Sequence, residues 1–181
     1  MSKLSFSGML AEFLLAIGEG EGNLEEARQK TSEILEYNPA TLFNRVNRNN
    51  NGHITADEII NFCADNGLTT IEKDETQLLI DFFDDEGNGT LNFEEFSHIL
   101  LPCEDMELRE AVLSRNSFEA VIQRGEFLND DVEHSVVSII DKEITLIRTL
   151  VKLIRELCWW NYTELHWMRL IDTSNDSWID V

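Results

Sequence analysis

A segment of twelve residues at positions 84–95 restricts the fold of this chain more than any other part of the sequence. It reads Asp-Asp-Glu-Gly-Asn-Gly-Thr-Leu-Asn-Phe-Glu-Glu. Oxygen-bearing side chains stand at its positions 1, 3, 5 and 9, and Gly89 stands at position 6, where the backbone must turn sharply. Glu95 offers two carboxylate oxygens at position 12. Because a hard cation such as calcium prefers six to eight oxygen ligands, this spacing predicts a calcium-binding loop, here called loop 2.

Apolar residues with helical spacing flank loop 2, namely Ile80, Phe82 and Phe83 before it and Phe93, Phe96, Ile99 and Leu100 after it. A helix, a twelve-residue loop and a second helix resemble the EF-hand family, the calmodulin-like calcium-binding proteins. The resemblance implies an all-α fold and Ca²⁺ as the bound ion. The ligand set that it implies is Asp84, Glu86, Asn88, the Thr90 carbonyl, Asn92 through a water molecule, and Glu95. Glu86 is longer than the Asp or Asn usual at position 3, which is expected to lower the affinity or distort the coordination.

A segment with the same frame, here called loop 1, lies at residues 47–58 and begins 37 residues earlier (84 minus 47). Gly52 occupies its position 6 and Glu58 its position 12. The other ligand positions hold Asn47, Asn49, Asn51, His53 through its carbonyl, and Thr55. Glu58 is the sole carboxylate among these ligands, and ligand charge is a main determinant of calcium affinity. Two interpretations stay open: a structural partner that binds little or no metal, and a weak site assisted by pairing.

The two loops are expected to form a pair, as EF-hands normally do. Ile54 and Leu91, both at position 8, should then meet in a short two-stranded ribbon between the loops. The core predicted for the pair consists of Phe43, Ile59, Phe62, Phe82, Phe83, Phe93 and Phe96. Leu42, Val46, Leu78 and Leu79 are predicted to face inward as well.

Two helices are predicted before the pair. Apolar residues at helical spacing predict the first over 4–17, and the glycines of the segment 18–22 are expected to end it. Asn23 with Glu26 three residues on has the pattern of a capping box, which predicts a second helix over 24–36.

Capping patterns also predict the helices of the pair. Asn38 followed by Pro39 is typical of a helix start and precedes loop 1. Asn66-Gly67 predicts the end of the helix after loop 1. Thr70 is expected to cap the helix that leads into loop 2.

A long apolar helix is predicted over residues 130–159, which contain neither glycine nor proline. A heptad pattern fits it, with Val137, Ile144, Val151 and Cys158 at one position and Ile140, Ile147 and Ile154 at the other. Further apolar residues make the stripe wider than a two-stranded coiled-coil seam. We therefore expect this helix to pack within the chain or against a neighbouring subunit, rather than to form a free-standing homodimeric coiled coil.

An incomplete third loop is predicted near residue 181. Asp172, Ser174, Asp176 and Asp180 match positions 1, 3, 5 and 9, while Ser177 replaces the glycine. The sequence stops before position 12, so tight binding is not expected there. A fragment of a longer protein would explain this loop most simply; a natural end at Val181 and a chance match in an acidic segment are the alternatives.

The predicted organisation has five parts. These are N-terminal helices at 1–38, an EF-hand pair at 39–102, a helical connector at 103–129, a long apolar helix at 130–160 and a partial third EF-hand at 161–181.

Charge and cysteine content limit the function. The 35 acidic residues outnumber 14 basic ones, giving a net charge of −21. Nucleic acids and anionic membranes attract basic surfaces, so neither is an expected partner, whereas a cation or a basic protein is. Cys63, Cys103 and Cys158 are widely spaced and odd in number, and Cys63 and Cys158 fall on apolar helical faces, which predicts buried thiols in a reducing compartment. No membrane span and no signal peptide are expected, so a cytoplasmic protein is predicted.

No catalytic pattern stands out in the sequence. It has no glycine-rich phosphate loop and no nucleophile elbow, and the four histidines (His53, His98, His134 and His166) lack paired metal spacing. A non-enzymatic protein is therefore expected.

Three functions stay open. The first is a structural or regulatory subunit that uses the hand pair to hold a larger protein assembly together. The second is a calcium sensor that opens a groove for a target helix, although the paired hands lack the methionines that adaptable grooves use. The third is a calcium-regulatory part of a larger enzyme.

The alternation of hand pairs with longer helices, together with the segment 101–105, also resembles the multi-EF-hand proteins of cilia and flagella. That resemblance implies a cytoskeletal or axonemal setting; the oligomeric state stays open.

Overall fold

The computed structural model describes residues 6–115 and 129–158, and the regular structure of these ranges is α-helical. The helices are α1 (Phe6–Glu33), α2 (Pro39–Val46), α3 (Ala56–Asp65), α4 (Lys73–Phe83), α5 (Phe93–Leu100), α6 (Met106–Leu113) and α7 (Asp130–Cys158). The predicted all-α fold is confirmed. None of the described helices has the length and apolar composition that a membrane crossing requires.

Two helix–loop–helix units lie side by side. Loop 1 joins α2 to α3, and loop 2 joins α4 to α5. Ile54 and Leu91 exchange two backbone hydrogen bonds of 2.8 and 2.9 Å, so the predicted ribbon between the loops is confirmed. The start of α2 is also as predicted, because the Asn38 side chain accepts a hydrogen bond of 2.8 Å from the Thr41 N–H and Pro39 is the first helical residue.

The cap predicted for α4 is wrong. The helix begins at Lys73 with Glu72 as its N-cap, and the Glu72 N–H donates to the Glu75 carboxylate over 3.3 Å. Thr70 lies outside the helix, and its carbonyl accepts a hydrogen bond from Arg148 on α7. Tertiary contact with α7 therefore helps to place this turn, which the local sequence does not reveal.

The core of the pair differs from the prediction on α4 and α5. Phe43, Ile59, Phe62 and Phe96 are buried as expected, and Phe83 is half-buried. Phe82 is 73% exposed, Phe93 38% and Leu78 43%, so their assignment to the core is wrong. On α4 the fully buried apolar residues are Leu79 and Ile80, and Thr76 is fully buried as well. Leu78 and Phe82 are four residues apart and therefore lie on the same side of α4. This side is not the one that carries Leu79 and Ile80, and it faces away from the pair.

Helix α1 is continuous, which contradicts the predicted break at residues 18–22. Asn23 lies inside the helix and does not cap a new one. Each helical glycine costs up to about 1 kcal/mol relative to alanine, and the packing of α1 on α7 outweighs this cost. At Gly20 the two helices approach closely, because a Cβ there would lie 2.5 Å from Cδ1 of Leu146 on α7 and the Leu146 side chain would have to move.

Helix α7 lies along α1 and across the hand pair, where it contacts α4 and α5. Its buried apolar residues join the same core cluster as those of the hands; Val132, Val136, Ile139, Ile140 and Ile144 are almost completely inaccessible. Polar contacts hold both ends of this buried stretch. Glu133 accepts from Arg45 on α2 over 3.0 Å and from Asn66 after α3 over 2.7 Å, while Arg148 pairs with Glu75 on α4.

A buried arginine connects α1, α7 and the second hand. Arg28 donates from Nε to the Ile99 carbonyl over 2.9 Å and forms an ion pair with Glu143 on α7. Glu25, one turn earlier, accepts from the backbone N–H groups of Cys103 and Glu104 over 2.9 and 3.1 Å. Burial raises the pKa of Glu143 to about 7, and the charge of Arg28 opposes that rise. The end of α5 is thereby bonded to the α1–α7 layer.

The three glycines of α1 provide a test of its packing. Gly18→Ala and Gly22→Ala should each raise the midpoint of thermal unfolding by about 2–4 °C, since a Cβ meets no atom within 4 Å and helix propensity improves by up to ~1 kcal/mol. Gly20→Ala should give no gain or a loss, because Leu146 must move. Equal stabilisation by all three variants, measured by circular dichroism, would contradict this packing.

Candidate metal centre

The two loops have the same backbone frame. Gly52 and Gly89, both at position 6, have φ of 85° and 78°, in the left-handed region that glycine adopts without strain. Position 4 is also left-handed in both loops, with φ of 54° at Asn50 and 68° at Gly87. Sequence reasoning missed position 4, although Asn and Gly are the residue types that most often accept this conformation.

The glutamate at position 12 is fixed in the same way in both loops. Glu95 is 4% exposed, and its carboxylate accepts from the N–H groups of Asn92 and Glu86 over 2.8 and 3.4 Å. Glu58 is 6% exposed and makes the equivalent bonds to Thr55 and Asn49 over 3.0 and 3.4 Å. Because Asn92 and Thr55 are also the N-caps of α5 and α3, the capping box that starts each helix also orients this carboxylate.

Position 1 has an oxygen that suits a cation. Oδ1 of Asp84 and Oδ1 of Asn47 are buried atoms with no hydrogen-bond donor among the described residues. A buried acceptor without a partner is costly, and such atoms are rare in folded proteins. Both occupy the position from which an EF-hand loop offers its first ligand, so the residues present fit a bound calcium ion.

The backbone of loop 2 favours the charged form of Asp84. Its Oδ2 accepts from the Gly89 N–H over 2.6 Å. Desolvation would raise the pKa of this carboxyl group, but the N–H groups of Gly89, Asn88, Gly87 and Glu86 together hold it below its ordinary value. Asp84 is therefore available as an anionic ligand at neutral pH.

Glu86 is turned toward the amides of its own loop. Its carboxylate accepts from Asn88 over 2.9 Å and lies 3.5 Å from the Asn92 amide nitrogen. Among the residues that the structure places, no three carboxylate, imidazole or thiol groups converge closely enough to hold a metal by themselves. A calcium site in loop 2 therefore needs neutral oxygens as well, and Glu86 would have to exchange its amide donors for the ion.

The two loops differ more in charge than in backbone shape. Five carboxylates and no basic residue lie within loop 2, whereas loop 1 has Arg48 against Asp57 and Glu58. The internal hydrogen bonds are similar in the two loops, since Asn51 accepts from His53 N–H over 2.8 Å in loop 1 and Asn88 accepts from Thr90 N–H over 2.9 Å in loop 2. The larger number of carboxylates is the reason for the prediction that loop 2 attracts a divalent cation more strongly. The predicted third-loop residues Asp172, Ser174, Asp176 and Asp180 lie outside the described residues.

Comparison with protein families agrees with this geometry. Residues 40–101 match the family model of the EF-hand domain pair, which covers α2 to α5 with both loops. Neither curated proteins nor solved structures gave a match. The segment is thus an EF-hand pair, and Ca²⁺ is the ion that such domains bind.

Position 12 gives the most direct test of the two loops. Glu95→Gln should abolish the main calcium-binding event, lowering affinity by at least about a hundredfold (~2.7 kcal/mol), because it removes the charge of a bidentate ligand. Glu58→Gln is the matched control and should leave that event in place. Calorimetric titration at physiological salt and magnesium measures both. Loss of binding in Glu58→Gln with Glu95→Gln unaffected would reverse the ranking of the loops.

Proposed function

We propose, on the premise that residues 40–101 are a calcium-binding EF-hand pair, that the protein is a non-enzymatic structural or regulatory subunit of a larger protein assembly. Calcium would bind in loop 2 through Asp84, Glu86, Asn88, the Thr90 carbonyl, Asn92 through water, and Glu95. Loop 1 would act mainly as the structural partner of loop 2, with Glu58 completing at most a weak site.

The position of α7 is the observation that carries this proposal. EF-hand sensors bind a target by receiving the apolar face of an amphipathic helix in a groove between their helices. In this chain α7 contacts α4 and α5 of the second hand as well as α1, and its buried residues Val132, Val136, Ile139 and Ile140 belong to the core cluster that it shares with the hands. Val136 and Ile140 follow Val132 at intervals of four residues, and Ile139 follows Val136 by three, so all four lie on one side of the helix, as expected of a helix that lies in such a groove. This intramolecular contact supports the proposal that α7 covers the surface that a sensor would offer to its target.

Polar contacts support a fixed rather than a transient arrangement. Glu133 joins α7 to the first hand, and Arg148 joins it to the second. Arg28 and Glu25 bond the end of α5 to α1. Opening of the second hand would require α5 to turn relative to α4, and both helices are tied to the same α1–α7 layer.

Bound calcium would mainly stabilise such a module. Five carboxylates repel each other within the twelve residues of loop 2, and a divalent cation relieves that repulsion. The remaining acidic surface suits a basic protein partner, as expected for a net charge of −21. A cytoskeletal or axonemal assembly is the setting that the alternation of hands and long helices favours.

A sensor is the second candidate, and one observation favours it. Phe82 is exposed beside loop 2, and Met106 on α6 lines the same cleft as Phe82 and Phe83. An apolar surface next to the calcium loop could respond to the ion. Regulation of an enzyme by this chain is the third candidate, and no described residue specifically supports it.

Calcium addition to the full chain distinguishes a stabilised module from a sensor. The module should gain stability, by about 2.7 kcal/mol at a calcium concentration of 100 Kd, with little change in binding of an apolar dye such as ANS. Glu95→Gln should show no such gain. A large calcium-dependent rise in dye fluorescence that Glu95→Gln lacks would favour the sensor instead.

A further inference from the structure

The apolar stripe of α7 extends beyond the part that the hands cover. Along its first half the stripe is buried at Val137, Ile140 and Ile144. Farther on, Ile147 and Val151 are only half-buried, and Ile154 is 45% exposed. The second half of α7 therefore presents apolar side chains that no described residue covers completely.

These residues border a groove between α7 and α4, here called the α4/α7 groove. Leu78, 43% exposed, lies on one side of it, and Ile147 and Val151 lie on the other; its volume is about 520 Å³. The charged residues around it are Glu72, Asp74 and Glu75 from α4 and Arg148, Lys152, Arg155 and Glu156 from α7. Arg148 pairs with Glu75, and no ion pair within the described ranges involves Lys152 or Arg155. The groove thus has an apolar floor, carboxylates on its α4 side, and the cations Lys152 and Arg155 beside Glu156 on α7.

The segment 159–181 of the same chain has matching chemistry. It follows α7 directly, so its first residues lie within reach of this half of the helix. It contains all four tryptophans of the protein (Trp159, Trp160, Trp167 and Trp178), together with Leu165, Met168, Leu170 and Ile171. Its four acidic residues, against Arg169 alone, offer partners for Lys152 and Arg155, which have no ion pair within the described ranges.

We propose that the α4/α7 groove is the docking site for apolar side chains of the segment 159–181. Covalent attachment gives this segment a high effective concentration at the groove, which a separate molecule lacks. A second copy of the chain is disfavoured, because two molecules of net charge −21 repel each other. The proposal is independent of the calcium-binding role of loop 2.

Tryptophan fluorescence of the full chain reports on this segment alone, since residues 1–158 contain no tryptophan. Leu78→Ser and Ile154→Ser each remove an exposed apolar side chain from the groove or its continuation along α7. Leu113→Ser, on α6, is the matched control because Leu113 is also 45% exposed and lies outside the groove. Far-UV circular dichroism verifies that each variant keeps its helix content, and two groove variants are used so that one remains informative if the other misfolds.

The native chain should emit at shorter wavelength than the urea-unfolded chain and be less quenched by acrylamide. Both groove variants should shift the emission to longer wavelength and increase quenching, and Leu113→Ser should change neither. Three results would overturn the proposal. They are native emission equal to that of the unfolded chain, groove variants that behave like the control, and a blue shift that disappears on dilution, which would assign the groove to a second copy.

Discussion

Burial of the apolar face of α7 between α1 and the hand pair is the interaction on which the rest of the structure depends. Val132, Val136, Ile139, Ile140 and Ile144 lose nearly all contact with water, which contributes on the order of 10 kcal/mol before the entropy of ordering the helix is subtracted. The helices of the two hands are short, at 8 to 11 residues. Without α7, the apolar surface that they share with it would be open to solvent or to a partner. Helix α1 then packs on α7 and completes the layer.

That layer has consequences for the metal centre. Arg28 binds the Ile99 carbonyl at the end of α5, and Arg148 binds Glu75 near the start of α4. The two helices that flank loop 2 are therefore attached to one rigid support, and the loop between them has its position-12 carboxylate already oriented by a capping box. We infer that calcium acts here on a frame that is largely formed beforehand, so that its effect appears as stability rather than as a large change of shape.

Local patterns predicted the parts of the fold that local interactions determine. The two loops, the cap at Asn38 and the Ile54–Leu91 ribbon follow from residue types at fixed spacing. Tertiary contacts determined the rest. Helix α1 stays continuous through its glycines because it packs on α7, where Leu146 lies against Gly20. Phe82 is exposed because Leu79 and Ile80 already fill the inner side of α4. The helical stripe at 130–159 indicated burial, but its spacing alone could not identify the hand pair as the surface that covers it.

Amide hydrogen exchange of α7, with and without calcium, tests the central claim most directly. If α7 is a permanent part of the hand pair, the amides of residues 132–147 should be strongly protected in both conditions, and calcium should add protection mainly in loop 2 and its flanking helices. Rapid exchange of those α7 amides in either condition, or loss of their protection on calcium addition, would contradict the account. It would identify α7 as a helix that dissociates from the hands.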